Sequence, residues 1–141
     1  MTPHIFSTQW AGDWKRALDV HAGYRAAAAT WEGSLVLQMH SPDDPGAARA
    51  VYLDLWHGEC LEARAGSADD IATAKFVLRG SVETWRRVLR GEVAPLMGLM
   101  TGKLTLSRGS LAALLPYAAA AKALVDAAAT CPALFPGEAA S

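Results

Sequence analysis

In residues 74–79 the side chains of Ala74, Phe76 and Leu78 fall on one face of an extended segment and those of Lys75, Val77 and Arg79 on the other. At Gly80-Ser81 the period changes: Ser81 is a good N-cap, and Val82, Trp85, Val88 and Leu89 recur at helical spacing until Gly91. Pro95 suits a first helical turn, and Leu96, Met97 and Met100 give the short helix behind it an apolar stripe that Gly102 ends. Residues 103–107 alternate again, with Leu104 and Leu106 on one face. Two strands thus flank two short helices.

The same reading extends in both directions. Ser7 or Thr8 caps a first helix whose stripe is Trp10, Trp14, Ala17, Leu18 and His21, and a second stripe runs through Tyr24, Ala27, Ala28 and Trp31. Residues 34–40, 50–57 and 60–65 read as strands with Leu35, Leu37 and Met39, then Val51, Leu53 and Leu55, then Leu61, Ala63 and Ala65 on one face. A loop at 41–46 and a tight turn at 57–59 predict an antiparallel meander. Near the C-terminus, Ser110 caps a turn holding Leu111, Leu114 and Leu115, Pro116 kinks it or starts a new helix, and Tyr117, Ala121, Leu124, Val125 and Ala128 line the last helix. Residues 133–141 are expected to fray. The predicted fold is a single α+β domain over 1–141, a five-stranded, mainly antiparallel sheet covered on one face by about five helices. Tyr52 and Trp56, with Val36 and Val77 nearby on the opposite face, make a candidate self-association patch and hence a candidate homodimer; isolated surface aromatics are the plain alternative.

The run FVLRGSVETWRRVLRGEVAPLMGLMTGKLTLSRGSLAALLPY resembles the C-terminal half of the sterol carrier protein 2 domain family, in the spacing of Trp85, Leu89, Gly91, Pro95, Gly102, Lys103 and Leu104. The resemblance implies a hydrophobic tunnel between sheet and helices and carriage of a fatty-acyl, sterol-like or terpenoid lipid without catalysis. From composition alone a filled core is the plainer reading. In the tunnel reading the lining comprises Phe76, Trp85, Leu89, Leu96, Met97, Met100, Leu104, Leu106, Leu114 and Tyr117. Arg86, Arg87, Arg90, Lys103 and Arg108 then stand where a ligand head group or an anionic membrane could be met in passing, unless they are simply solvated.

Composition narrows the remaining classes. With 52% hydrophobic and 19% charged residues the chain is globular rather than disordered, and a net charge of −1 gives no reason to expect nucleic acid. No apolar run is expected to span a bilayer and the first residues lack the pattern of a signal peptide, so a cytoplasmic protein is expected. Cys60 and Cys131 are too few for a disulfide framework. His4, His21, His40 and His57 form no metal-binding spacing, His57 with Cys60 offers only two ligands, and no metal or cofactor is expected. An enzyme using His57, Tyr117 or Asp54 as acid or base is the remaining alternative, as is a regulatory module docking on an enzyme through the sheet's outer face.

Overall fold

The computed structural model describes residues 2–40 and 49–138; the predicted loop at 41–46 lies outside them. Helix α1 (Thr8–Asp19) starts where Ser7 accepts a hydrogen bond from Trp10 N at 3.2 Å, and buries Trp10, Ala11, Trp14 and Leu18. Thr8, the other candidate cap, instead accepts from Ala65 N. The second helix, α2 (Ala22–Ala27), is capped by His21, whose Nδ1 accepts from Tyr24 N, and is shorter than its stripe predicts. Trp31 lies beyond it, with its indole N–H donated to Gly33 O.

Strands β1 (Glu32–His40), β2 (Arg49–Trp56) and β3 (Glu59–Ala65) form the expected antiparallel meander. The β2–β3 turn has φ of 49° at His57 and 83° at Gly58, and two successive positive φ values are what a tight hairpin with the strands' own twist requires. Strand β4 (Phe76–Ser81) pairs in parallel with β1, and β5 (Thr105–Arg108) closes the edge antiparallel to β4. The order is β3-β2-β1-β4-β5, a mixed sheet with one parallel pair.

A parallel neighbour needs a crossover. Helix α3 (Ala68–Thr73), which the hydrophobic pattern does not predict, stands in the β3–β4 connection and is nucleated by a capping box in which Ser67 and Asp70 exchange hydrogen bonds. Its Ile71 packs on Val36, Ala50, Ala74 and Val77. The exposed patch expected on the sheet's outer face is therefore corrected: Val36 and Val77 are sealed beneath α3, and Tyr52 is half-buried under the Arg64 guanidinium, 4.3 Å from its ring. Only Trp56 is exposed, stacked on His57.

The other face carries the main core. Ser81 caps α4 (Val82–Leu89), Pro95 opens α5 (Pro95–Met100), and α6 (Leu111–Leu114) passes through a 3-10 turn containing Pro116 into α7 (Ala118–Ala129). The run Leu111–Ala129 is, against expectation, long and apolar enough to cross a bilayer; about a third of its most apolar window is buried in the fold, and Leu114, Ala120, Ala123, Val125, Ala127 and Ala128 are its buried residues. The stretch expected to fray is held as far as Glu138: Leu134 bridges to His4, Ile5 N donates to Leu134 O at 2.9 Å, and Phe135 packs on the core.

Candidate functional site

Leu35 on β1, Leu55 on β2 and Leu78 on β4 form the floor of a cavity of about 50 Å³. Tyr24, Ala28 and Trp31 close one side of it, Pro95, Leu96 and Leu99 of α5 another, and Leu114, Tyr117, Ala120, Ala121 and Leu124 the roof. The wall is almost wholly apolar and no charged side chain reaches it. This follows from the alternation: the inward positions of three adjacent strands are leucines, while the alanines of α7 leave room that larger residues would fill.

An outer groove of about 220 Å³ abuts the cavity, lined by Thr30, Trp31, Glu32, Lys75, Phe76, Ala113 and Tyr117. Trp31 and Tyr117 belong to both spaces and form the partition. Their rings meet edge to face, 4.8 Å between centroids, and the Tyr117 hydroxyl lies 3.0 Å from Thr30 Oγ1. On the groove side Lys75 donates to Glu32 O at 2.9 Å. The groove is thus half polar and the cavity dry.

Of the residues predicted to line a tunnel, the cavity gathers Leu96, Leu114 and Tyr117, and the groove adds Phe76. Trp85 is buried elsewhere, its indole N–H donated to Gln38 O at 2.9 Å and its ring edge-on to Phe6. Leu104 packs beneath Gly80 and Gly98, and Leu106 is half-buried on β5. Met97 and Met100 turn outward, 53% and 64% exposed. Leu89, Arg86 and Arg90 border a separate groove beside Phe135, where Arg86 is paired with Glu83 and Glu138. Arg87 also binds Glu83, and Lys103 and Arg108 are exposed away from the cavity wall.

Most of this wall lies outside the predicted lining, Tyr24, Trp31, Pro95, Leu99 and Ala120 among it. In a six-residue helix reading Pro-Leu-Met-Gly-Leu-Met every side is apolar, and only the i, i+3 pair of Leu96 and Leu99 hints at the inward phase.

Of the three candidate acids and bases, Tyr117 alone lines the cavity. His57 Nε2 is 2.6 Å from Glu32 Oε2 on the exposed hairpin, and Asp54 sits on the outer face between Ser34 and Glu62 in register. Burial pushes the Cys60 thiol up to about 12, which keeps it protonated. Among the described residues no three of His, Cys, Asp and Glu gather as a metal site.

A sequence profile described as the SCP-2 sterol transfer family matches residues 15–122. A crystal structure of sterol carrier protein 2 is 43% identical and superimposes with a TM-score of 0.82, covering 91% of this chain and 99% of the other. A solution structure of a conserved hypothetical protein from Thermus thermophilus is 40% identical, TM-score 0.81, over 94% and 96% of the two chains. Sterol carrier protein 2 from Yarrowia lipolytica, without ligand, shares the fold at 18% identity and a TM-score of 0.58, over 83% and 87%. No curated protein sequence matches.

Proposed function

Because this chain belongs to the SCP-2 sterol transfer family, we propose that it carries an apolar ligand, with a fatty-acyl, sterol-like or terpenoid body held between the sheet and α2, α5 and α7. The observation that carries the reading is the dry cavity itself, walled by leucines and alanines from six elements with no charge to neutralise. Apolar area removed from water contributes about 25 cal/mol per Å², so about 200 Å² of ligand surface contributes about 5 kcal/mol. A buried carboxylate or phosphate would meet no counter-charge there, so a polar head belongs in the outer groove, beside Lys75.

Volume sets the mechanism. A dry cavity of about 150 Å³ lodges one benzene ring, so a space of about 50 Å³ must widen to accept a chain or a fused ring system. Displacement of the Trp31–Tyr117 partition joins cavity to groove, and the short helix α5, only six residues long, is the cavity wall that can yield to widen it. Loading is therefore an opening of helices over a rigid sheet, and release is the reverse. The wall offers two phenols and no carboxylate, imidazole or thiol, which favours carriage over turnover.

Native mass spectrometry of freshly purified protein, followed by denaturation and solvent extraction, tests this. The expected result is extra mass that leaves as a lipid-sized molecule, or that can be restored by incubation with a fatty acid or sterol. A protein that neither retains nor takes up any member of a lipid panel would sink the reading.

A further inference from the structure

None of the chain's 14 acidic residues falls within residues 93–125, a stretch that holds Lys103, Arg108 and Lys122. That stretch carries a charge of +3, while the other ten cations and all 14 acids leave −4 on the remainder. Met97, Met100 and Leu115, half of the large apolar side chains exposed among the described residues, belong to it. Residues 109–121, through α6, the 3-10 turn and the start of α7, have no charged side chain, and Ala112, Ala113, Leu115, Pro116, Ala118 and Ala119 are exposed there. A surface helix of a globular protein carries polar residues on its solvent side. Here that side is apolar too, so packing in the core does not account for it. The tip stands at the mouth of the outer groove: Gly109 lies against Phe76, and Ala113 and Tyr117 are part of the lining. Arg108, just before the tip, is exposed and, like Lys103, has no ion pair among the described residues, whereas Lys122 is held by Asp126 at 3.0 Å.

We propose that this uncharged tip, with Arg108 beside it, is a docking surface for an anionic lipid bilayer. The occupant is lipid because the face pairs exposed apolar groups with cations free of acidic partners, the combination that holds a helix in the headgroup layer of an anionic membrane. A protein partner fits less well, since alanine, the commonest residue of the tip, is depleted in protein interfaces. The helix lies on the bilayer and does not span it, because Leu114, Ala120, Ala123 and Val125 stay in the core. Docking in this way brings the groove, and behind it the Trp31–Tyr117 partition, to the lipid. The inference goes beyond the carrier reading, and either can fail without the other.

The test is flotation of the full chain with phosphatidylcholine vesicles, with and without one-third phosphatidylglycerol. The variants are Leu115→Glu and Arg108→Glu, neither of which touches the lining of cavity or groove. The control is Leu61→Glu, 54% exposed on β3, at the opposite edge of the sheet from β5. The wild type is expected to float with the anionic vesicles and much less with the neutral ones. Arg108→Glu should weaken binding to anionic vesicles about fivefold or more, an effect lost at high salt. Leu115→Glu should weaken it about tenfold, and Leu61→Glu should behave as the wild type. Without vesicles, all four proteins are expected to bind a fluorescent fatty-acyl probe alike. A wild type that holds the probe but does not float with anionic vesicles would overturn the docking surface and leave the carrier reading standing. Wild-type flotation of both Leu115→Glu and Arg108→Glu, or an equal loss in Leu61→Glu, would overturn it as well. A wild type that floats, with the two expected losses, but holds no probe would support the docking surface and count against the carrier reading.

Discussion

Gly80 on β4 and Gly98 on α5 hold Leu104 between them, and that contact ties the sheet to a wall of the cavity. A Cβ at Gly80 would lie 2.7 Å from Leu104 Cδ2 and 3.2 Å from Trp85 Nε1. Leu104 has little room to retreat, because a Cβ at Gly98 would already stand 3.0 Å from its Cδ1. Gly80→Ala therefore overpacks this junction, at about 1–3 kcal/mol. Against this, alanine is about 0.5–1 kcal/mol better than glycine in a strand interior. The net cost is about 1–2 kcal/mol. Unfolding entropy of about 2.1 cal/mol/K per residue over 141 residues comes to about 0.3 kcal/mol/K, which converts that cost to a fall of about 3–7 °C in Tm. The assay is a double-mutant cycle by thermal and urea unfolding. Leu104→Ala alone costs about 2–5 kcal/mol through the void it leaves, but in that background Gly80→Ala is expected to be neutral or stabilising. An equal cost of Gly80→Ala in both backgrounds would refute the argument that Leu104 is what the new methyl meets.

Asp70 accepts two hydrogen bonds from Arg64, one of them at 2.9 Å from Nη2, and one from Ser67 N at 2.8 Å, and first Arg64 and then Ser67 hold its carboxyl well below the usual carboxylate range. Because the folded state depresses this pKa, the stabilisation is fully present above the unfolded value of about 4 and is lost as pH falls from there. Asp70→Asn is thus expected to lower Tm at pH 7, by the equivalent of about 2 kcal/mol, and the gap to the wild type should narrow in melts run at progressively more acidic pH. A gap independent of pH would contradict the assignment. Tyr117→Phe removes the hydrogen bonds to Thr30 while keeping the ring against Trp31. In stopped-flow exchange of a fatty-acyl probe it should raise association and dissociation rates together, by about two- to tenfold, with Kd nearly unchanged.

Much of this architecture can be read in the chain because two periods, two and 3.6, seldom compete in it. Leu35, Leu37, Leu53, Leu55, Phe76 and Leu78 all lie in the main core, where their alternation puts them, and Ser7 and Ser81 cap the helices they precede. The resemblance to the sterol carrier family, seen in the run from Phe76 to Tyr117, agrees with the family profile and with the mixed sheet. Helix α3 escaped because it has one apolar anchor, Ile71, and no stripe; its signal was the Ser67-x-x-Asp70 capping box. Val36 and Val77, apolar where the alternation called for a solvated face, are the mark of that missing cover. The parallel pairing of β1 with β4 escaped because it depends on long-range order. The cavity escaped in part because short apolar helices carry no phase: Leu99 faces in where Met97 and Met100 face out.

Binding of a fluorescent fatty-acyl probe to Ala121→Phe and Met97→Arg, beside the wild type, tests the carrier reading most directly. Ala121 of α7 lines the cavity, and Met97 is exposed on the outside of α5, another of its walls. The account predicts that the phenyl ring fills the cavity and lowers affinity at least tenfold in a protein with unchanged circular dichroism, while the arginine leaves affinity within twofold of wild type. Full binding by Ala121→Phe, or its loss only in Met97→Arg, would contradict the placement of the ligand between sheet and helices.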